Sequence, residues 1–358
     1  MLATYFTTLL LTTSTVLMAT TSTNAADAQA VLQAVKQFSK FTKLVNKINS
    51  SNTTWQAETN PLFDYDATKN KLRTSLVFDD NLFSIVQSIG PSAVLKSSPE
   101  SLPTNFVAGK DKWTECAQTI NSVPDQGYCG SCWAVASAAT MTDRLCISTG
   151  AKDKRIISSQ DLLECCPDCG FQCNGGSITA AYNYWLNTGI VSGSSYMTAG
   201  VCKSYGFAPC SNPVWRTSDL CTKRNTDVKC RKACQASYSK DYSSDLIKGK
   251  SATRIIGGEE AIMQEIFNNG PVTGAMMVYE DFMVYKSGVY QKSDDEGNQQ
   301  LGGHAIRIIG WGVDKDGKKY WVCSNSWGTI WGEKGFFRIV RGIRHVLIED
   351  YVMSGTYN

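Results

Sequence analysis

The sequence predicts an α+β fold in which two layers meet at a cleft. Two observations support this class. Helical patterns occupy the first half of residues 102–358, whereas the last third contains short stretches rich in β-branched and aromatic residues, with glycines between them. Because the helices come first and the strands later, a helical layer and a sheet layer are expected to pack against each other.

The ends of the predicted elements follow from capping and breaking residues. A serine before a helical pattern can accept a backbone N–H of the first turn, and glycine or proline ends the pattern. Four helices are predicted on this basis: 132–145 before Gly150, 159–166 capped by Ser159, 177–189 capped by Ser177, and 259–269 before Gly270-Pro271. Three strands are predicted at 304–312, 319–325 and 336–340.

The composition narrows the classes of function. Of the 358 residues, 42% are hydrophobic and 19% are charged, which is typical of a globular rather than a disordered chain. The 35 basic and 32 acidic residues leave a net charge of +3 without a dense basic stripe, so nucleic acid is not expected as a partner. With only two histidines, the chain cannot form a histidine-only zinc site.

Thirteen of the 14 cysteines lie between Cys116 and Cys234. This density indicates a disulfide framework formed in an oxidising compartment. The alternative is a metal site, because four cysteines lie within residues 165–173. Metal-ligand pairs usually flank a longer spacer, however. Neither a metal nor an organic cofactor is predicted.

The first 25 residues are typical of a secretory signal peptide. Residues 1–19 are apolar or hydroxylated and carry no charge, and Thr23-Asn24-Ala25 offers a cleavage site. A membrane anchor is the alternative, but the apolar run is broken by threonines and a span needs about 20 mostly apolar residues. We therefore expect a protein of the secretory pathway, lysosomal or vacuolar or extracellular, without a membrane-spanning segment.

Residues 26–101 differ from the rest of the chain. They contain no cysteine and no histidine, and 30–48 has helical spacing. Asn49 and Asn52 each begin a glycosylation acceptor pattern. We interpret residues 26–101 as a removable pro-segment and residues 102–358 as the mature domain. A permanent N-terminal subdomain is the alternative.

The clearest chemical signal is the segment 126–133, which reads Gln-Gly-Tyr-Cys-Gly-Ser-Cys-Trp. A thiol attacks as its thiolate, so the pKa of a nucleophilic cysteine must fall below the free value of about 8.5. A helix N-terminus and a neighbouring imidazolium both lower it. Cys132 lies at the start of a predicted helix and is therefore the candidate nucleophile. Its alternative role is half of a disulfide.

A cysteine nucleophile needs a base, and the chain offers two histidines. His304 opens a predicted strand, whereas His345 lies in a charged stretch and is interpreted as a surface residue. Asn325 ends the next predicted strand, and antiparallel pairing would bring it near His304. A neutral amide can orient the imidazole without adding negative charge. His304 and Asn325 are therefore the candidate base and its orienting group.

Acyl transfer also needs hydrogen-bond donors for the oxyanion. The Cys132 backbone N–H and the side-chain amide of Gln126 are the candidates, because a short glycine-containing loop separates them. Trp327, two residues after Asn325, is expected to shield the histidine–asparagine hydrogen bond from water.

The Cys-Gly-Ser-Cys-Trp motif with a downstream histidine and asparagine resembles the papain-like cysteine proteases. His304 and Asn325 follow Cys132 by 172 and 193 residues, more than the usual distance of about 130–150, which indicates an insertion. An insertion near 202–245 is similar to that of the cathepsin B branch. Further matches to that branch are Asn-Thr-Thr-Trp-Gln-Ala at 52–57, Leu-Pro at 102–103, Cys-Asn-Gly-Gly at 173–176 and Gly-Val-Tyr at 288–290.

This resemblance implies a helical left lobe and a β-barrel-like right lobe with the active-site cleft between them. It implies six disulfides: Cys116–Cys146, Cys129–Cys173, Cys165–Cys230, Cys166–Cys169, Cys202–Cys234 and Cys210–Cys221. Cys132 and Cys323 remain as free thiols. The implied partners are protein or peptide substrates, the chain's own pro-segment and cystatin-like inhibitors, and the implied oligomeric state is a monomer.

The insertion departs from the cathepsin B pattern. There it is an occluding loop whose two adjacent histidines hold the C-terminal carboxylate of the substrate, but here those positions are Asn212 and Pro213. Asp125 keeps the aspartate of one loop latch, but the histidine partner is again Asn212. We therefore expect a loose loop and mainly endopeptidase action. Arg216 is an alternative grip for a carboxylate.

The resemblance also implies the substrate-contacting residues. These are Gly175, Gly176, Ala275, Gly303, Ala305, Trp327 and Tyr351. Tyr351 falls at the floor of the second specificity pocket, where the family often has an acid, so bulky apolar or aromatic side chains are expected there rather than arginine. An alignment shifted by two residues would instead place Glu349 at the floor.

The function expected from the sequence is that of a cysteine endopeptidase made as a zymogen. A non-catalytic, disulfide-rich binding protein on a protease fold is the alternative. Acyl transfer to an amine by the same residues is a third hypothesis.

Overall fold

The computed structural model describes residues 39–62, 73–78, 101–216, 218–222 and 228–357. The predicted signal peptide lies outside these residues. Within them, no helix combines the length and hydrophobicity that crossing a membrane requires.

The helices lie mainly in the first half of residues 102–358, as predicted. The described residues form ten α-helical segments: α1 (39–50), α2 (Ala117–Ile120), α3 (Cys132–Ser148), α4 (Ser159–Cys165), α5 (Ile178–Asn187), α6 (Pro213–Arg216), α7 (Asp219–Thr222), α8 (Tyr242–Asp245), α9 (Gly258–Asn269) and α10 (Glu280–Met283). Short 3₁₀ turns occur at Thr114–Cys116, Pro167–Cys169, Gln172–Asn174 and His345–Leu347.

Serine caps fix the starts of two helices. The hydroxyl of Ser177 accepts the N–H of Ala180 at the start of α5, as predicted. The cap of α4 is Ser158, which accepts the N–H of Asp161, and not Ser159, which is already helical. The correction is one residue, because two adjacent serines are equally suited to capping and the backbone geometry selects between them.

Helix α3 is the central helix of the left lobe and is buried on most of its sides. It carries alanines at 134, 136 and 138, which let neighbouring elements approach closely. A helix buried all round is typical of the middle of a larger core. Its first residue, Cys132, is therefore held inside the protein at the junction of the two lobes.

Twelve strands occur in the described residues. They are β1 (Trp55–Ala57), β2 (Phe106–Val107), β3 (Ile156–Ile157), β4 (Ser192–Ser194), β5 (Lys203–Ser204), β6 (Ser251–Arg254), β7 (Val272–Tyr279), β8 (Tyr285–Tyr290), β9 (Gln300–Val313), β10 (Lys319–Ser324), β11 (Phe336–Val340) and β12 (Val352–Thr356). Nine form one sheet in the order β1-β8-β11-β10-β9-β7-β12-β6, with β2 also on β9. Among the described residues this path does not close into a barrel, and the helical lobe and the sheet lobe together form the two-lobed α+β fold that the resemblance implies.

Strand β9 is the longest of the described strands and contains His304, the candidate base. It pairs antiparallel with β7, where His304 faces Met276, and with β10, where Arg307 faces Ser324. Because β10 runs back toward the start of β9, its following residue, Asn325, comes next to His304. This is the arrangement predicted from antiparallel pairing.

Six disulfides stabilise the left lobe and the insertion. Their pairs are those implied by the resemblance: Cys116–Cys146, Cys129–Cys173, Cys165–Cys230, Cys166–Cys169, Cys202–Cys234 and Cys210–Cys221. All four cysteines within 165–173 belong to these pairs, so none of them is available as a metal ligand. Cys132 and Cys323 are the free thiols, and both are buried.

Candidate active site

Cys132 occupies the first position of α3, as predicted. The preceding Ser131 does not cap the helix with its side chain. Its hydroxyl instead hydrogen-bonds the Tyr205 hydroxyl at 2.6 Å, and Tyr205 donates to the backbone oxygen of Gln126 at 3.0 Å. No serine cap therefore competes for the backbone N–H groups near the thiol, and the helix N-terminus is left to favour a negative charge there.

His304 and Asn325 are directly hydrogen-bonded. The distance from His304 Nε2 to Asn325 Oδ1 is 2.8 Å, and the same oxygen accepts the N–H of Ser326 at 2.7 Å. Because that oxygen only accepts, His304 Nε2 must carry the proton, which leaves Nδ1 as the basic nitrogen. Nδ1 is buried and has no hydrogen-bond partner among the described residues.

Trp327 covers this pair. Its ring stacks on the imidazole of His304 with centroids 4.9 Å apart and an interplanar angle of 30°, and the indole is buried. The hydrogen bond between His304 and Asn325 is thereby shielded from water, which strengthens it.

Gln126 is held in a fixed orientation by Ser326. The Ser326 hydroxyl donates to Gln126 Oε1 at 2.6 Å, and the Gln126 N–H donates to the Ser326 backbone oxygen at 2.8 Å. Gln126 Nε2 donates to Cys129 O at 2.8 Å and lies 3.5 Å from Arg73 O. The amide donor therefore points into the site, where the carbonyl oxygen of Arg73 faces it.

Residues 73–78, a short stretch from the N-terminal region, run through the cleft. The Leu76 N–H donates to Gly303 O at 2.9 Å, and the Val77 N–H donates to Gly176 O at 3.0 Å. Gly175 has φ +118°, and the Ser75 carbonyl occupies the space that a Cβ at Gly175 would need. Only glycine allows this close approach of two backbones, and these glycines bind an extended chain here.

Phe78 lies against the residues implied for the second specificity pocket. Its ring centroid is 4.8 Å from that of Tyr351, and a Cβ at Gly303 would lie 2.5 Å from its ring. Ala275 and Ala305 face each other across β7 and β9, both fully buried, and Ala275 donates its N–H to Tyr351 O. Together these residues form one surface, with small residues as its walls and the aromatic ring of Tyr351 as its floor.

Glu349 belongs to a different part of the molecule. Its carboxylate accepts hydrogen bonds from Trp321 Nε1 at 2.9 Å and from the N–H groups of Gly342 and Arg344 at 2.6 and 2.9 Å. All of these donors lie in the right lobe, so Glu349 stabilises the chain turn before β12. The shifted alignment that would place it at the pocket floor is not supported.

Burial shifts the pKa values of Cys132 and His304 toward their uncharged forms. Burial raises the pKa of the Cys132 thiol to about 11, although hydrogen bonds from nearby backbone groups oppose the shift. Burial also lowers the pKa of His304 to about 4, against the opposing effect of its bond to Asn325. Both shifts favour the uncharged thiol and imidazole over a reactive thiolate–imidazolium pair.

His345 is removed from this site. It is half-buried rather than a surface residue, and its Nε2 accepts the N–H of Lys292 at 2.8 Å. Burial lowers its pKa to about 4, with Lys292 adding to the shift. The neutral ring thus serves as a structural acceptor.

The insertion is attached to the rest of the protein through Asp125 and Gly328, next to Trp327. Asp125 Oδ2 accepts the N–H of Ser211 at 2.8 Å, and Ser211 packs on Gly328 next to Trp327. Arg216 donates to the carbonyls of Cys210 and Ser211, within its own loop. The sequence did not reveal the Asp125 contact, because a backbone donor can come from any residue type.

Comparison with known proteins agrees with this geometry. The model of the papain family cysteine proteases matches residues 108–356. A "Cathepsin B-like cysteine proteinase 6" of Caenorhabditis elegans is 38% identical over 316 residues, which cover 87% of this chain and 82% of the relative. A "Gut-specific cysteine proteinase" of the same organism is 44% identical over 256 residues, which cover 71% of this chain and 74% of the relative.

A solved structure of procathepsin B S9 from Trypanosoma congolense has a TM-score of 0.72 and 30% identity, and the match covers 89% of this chain and 98% of the other. Digestive procathepsin L2 from Tenebrio molitor shares the fold, with a TM-score of 0.68 at 21% identity over 99% of this chain and 100% of the other. The chain therefore belongs to the papain family of cysteine proteases and is cathepsin B-like within it.

Proposed function

We propose that this chain is the zymogen of a cysteine endopeptidase in which Cys132 is the nucleophile, His304 the base, Asn325 its orienting group and Gln126 an oxyanion donor. The observation that carries the proposal is the His304–Asn325 hydrogen bond of 2.8 Å, formed beside the N-terminus of the helix that begins at Cys132. A binding protein would have no need for this shielded pair.

The reaction follows from these positions. Cys132 Sγ attacks the peptide carbonyl carbon and forms a C–S bond, and the negative charge moves to the carbonyl oxygen, which Gln126 Nε2 and the Cys132 N–H stabilise. His304 gives the proton taken from the thiol to the departing amine as the C–N bond breaks. Water then attacks the thioester while His304 takes its proton, which releases the acid and restores the thiol.

Residues 26–101 act as the inhibitory pro-segment in this proposal. A substrate runs from the second specificity pocket at Tyr351 toward the oxyanion donor Gln126, because the residue in that pocket precedes the cleaved bond. Residues 73–78 run the other way, from Arg73 near Gln126 to Phe78 at Tyr351. The reversed backbone fills the cleft in an orientation opposite to that of a substrate, although the Arg73 carbonyl oxygen lies 3.5 Å from Gln126 Nε2.

The second specificity pocket is expected to take bulky apolar or aromatic side chains. Phe78 already rests on Tyr351, and the walls Ala275, Ala305 and Gly303 offer no carboxylate. Arg254 lies over the Tyr351 ring at 5.3 Å, so an arginine side chain of a substrate would meet a like charge nearby. A Phe-Arg reporter peptide should therefore be cleaved much faster than an Arg-Arg reporter.

The insertion supports endopeptidase action. Neither Asn212 nor Pro213 can hold a carboxylate by charge, and Arg216 is engaged with carbonyls of its own loop. Free C-terminal dipeptides are then a minor product. Efficient release of dipeptides would contradict this part of the proposal.

The chain is proposed to pass through the secretory pathway by means of residues 1–25, to a lysosomal, vacuolar or extracellular destination. Its disulfides need an oxidising compartment. Both asparagines of the glycosylation patterns are exposed, but Asn52 is the better acceptor, because the Asn49 amide exchanges two hydrogen bonds with the backbone of Ala57. The matching test is glycopeptide mapping of the secreted protein.

The deciding experiment labels the acid-matured protein with a thiol-directed epoxide and maps the modified peptide. Labelling at Cys132, absent in His304→Ala, is expected. Cys323 is the internal control, because it is a buried thiol in β10 without a neighbouring base. A folded, matured protein that takes up no label would favour the binding-protein alternative. Hydrolysis products in the presence of an added amine distinguish proteolysis from transfer.

A further inference from the structure

Arg307 is a charged residue in the middle of the protein. It lies on β9, three residues after His304, and is 2% exposed. Its Nη1 lies 2.7 Å from Oδ2 of Asp143, which is fully buried in α3. The ion pair therefore crosses from the sheet lobe to the helical lobe, three residues along β9 from His304 and eleven residues along α3 from Cys132.

The same guanidinium reaches two further segments. Nη1 donates to Thr119 O at 3.3 Å, and Nη2 donates to Ile120 O at 2.9 Å and Ser122 O at 2.7 Å. Nη2 also lies 3.4 Å from the Ser324 hydroxyl. One side chain thus joins four stretches of chain that are far apart in sequence.

Two of these stretches contain a proposed catalytic residue, and the other two lead into one. Helix α3 begins with Cys132, the segment 119–122 leads into Gln126, β9 contains His304, and Ser324 immediately precedes Asn325. We infer that Arg307 is a positioning residue for the reaction: its guanidinium holds the segments of nucleophile, oxyanion donor, base and orienting group in register. The inference rests on the catalytic roles proposed above.

The physical basis is the shape of the guanidinium. It is planar, always charged and presents its donors in a fixed fork, so it can hold several acceptors at set angles, which a lysine cannot do. The buried setting strengthens each hydrogen bond. Because a displacement of about 1 Å between reacting groups can cost about 100-fold in rate, a device that sets these positions should affect catalysis beyond its effect on stability.

The chain offers a matched control in the next residue of α3. Arg144 Nη1 pairs with Glu265 of α9 at 2.9 Å, and both side chains are buried to a similar degree. Its other donors go to Gly270 O and Pro271 O, just before β7. This ion pair also joins the two lobes, but its contacts lie away from the segments next to the catalytic residues.

The test compares Arg307→Met with Arg144→Met in the full-length protein after acid maturation. Each variant leaves one buried carboxylate without its partner, so both should lose thermal stability. Only Arg307→Met should lose kcat, by about 10- to 100-fold with KM within about twofold of wild type. Its Cys132 alkylation profile should also move to higher pH, since the thiolate loses a well-placed imidazolium. The rates are measured at pH 7, because burial raises the pKa of Asp143 to about 6.

Arg307→Lys keeps the charge without the fork and is expected to lose kcat as well. It also serves as the second variant if Arg307→Met does not fold. Wild-type kcat in Arg307→Lys, or equal losses of kcat in Arg307→Met and Arg144→Met, would overturn the inference. An inactive wild-type protein would instead contradict the proposed function, so the two failures are distinguishable.

Discussion

Two parts of the N-terminal region contact the protease body in different ways. Residues 39–62, here called the anchor, pack outside the cleft: β1 pairs with β8, and Trp55 is buried against Tyr285 and Tyr290. Residues 73–78, here called the cover, lie over Cys132 and make backbone hydrogen bonds to Gly176 and Gly303. The anchor binds through buried side chains outside the cleft, whereas the cover combines these backbone hydrogen bonds with the buried side chain of Leu76.

The anchor and the cover are expected to have different effects: the anchor sets how tightly the N-terminal region binds, and the cover sets how completely it blocks the thiol. Burial of apolar side chains such as Phe41, Leu44 and Ile48 stabilises the bound anchor by about 25 cal/mol per Å² of apolar surface. The cover only has to exclude water and substrate from the thiol. Changes in the anchor should therefore alter how often the site opens, and the cover should determine how unreactive it is while closed.

The largest effect is expected from the cover itself. In the intact chain at pH 7, a Cys132 pKa of about 11 leaves a thiolate fraction of about 10⁻⁴. Iodoacetamide should therefore alkylate Cys132 at least about 1000-fold more slowly in the intact chain than in the matured enzyme. The rate in the intact chain should rise as the pH approaches 11.

Cys323 provides the control for this measurement. It is buried by the sheet and not by the cover, so its alkylation should stay slow in both forms. Equal alkylation of Cys132 in the two forms would show that the cover does not shield the thiol.

The second effect concerns the anchor. Trp55 is 3% exposed, and replacing a buried tryptophan by alanine costs about 3–5 kcal/mol. Trp55→Ala should therefore raise the Cys132 alkylation rate of the intact chain by about 100- to 4000-fold, since every 1.4 kcal/mol is tenfold. The comparison variant in the cover is Val77→Ala. Because Val77 is 40% exposed, the Cys132 alkylation rate of this variant should stay within about twofold of the wild-type rate. Similar rates in both variants would remove the distinction between anchor and cover.

A smaller effect is expected from the ion pair between Lys40 and Glu280. Glu280 is 6% exposed in its side chain, but Lys40 is 43% exposed, so the attraction is partly screened by solvent. Lys40→Met should raise the alkylation rate of the intact chain by about 5-fold. Lys43, exposed on the same helix, gives the control substitution Lys43→Met, for which no change is expected.

The smallest effect concerns how strongly acidic pH promotes opening of the site. A hydrogen bond from Lys47 holds the pKa of Asp295 below its usual value while the anchor is bound. Release of the anchor lets that pKa rise, so this contact favours the bound state above the usual carboxylate pKa. The preference is lost as the pH falls through the lowered value. Asp295→Asn should make opening slightly less dependent on acid, measured as the ratio of alkylation rates at pH 3 and pH 6.

Much of the site could be predicted from local patterns. The start of α3 at Cys132 and the antiparallel return that places Asn325 near His304 depend on short-range periodicity and pairing rules. The role of Ser326 could not be predicted, although it directly follows Asn325. Its hydroxyl reaches Gln126, 200 residues away in the sequence, and such a contact has no local signal.

The attachment of the insertion is a second feature that could not be predicted from the sequence. The sequence showed that its two loop histidines are absent, and from this a loose loop was expected. In the folded chain Asp125 accepts the Ser211 backbone N–H, and Tyr205 from the same insertion hydrogen-bonds Ser131, the residue before Cys132. Backbone donors carry no residue-type signature, so composition could not disclose this attachment.

Residue types and local patterns were enough to predict the candidate chemistry: a cysteine at a helix start, a histidine suited to be its base, an amide to orient it, and cysteines enough for six disulfides. The folded chain was needed to find the direction in which the pKa values of Cys132 and His304 shift, the direction of residues 73–78 in the cleft and the contacts of the buried Arg307. The reason is physical. Residue types set which bonds can form, whereas burial and the meeting of distant segments set the local dielectric and geometry in which those bonds act.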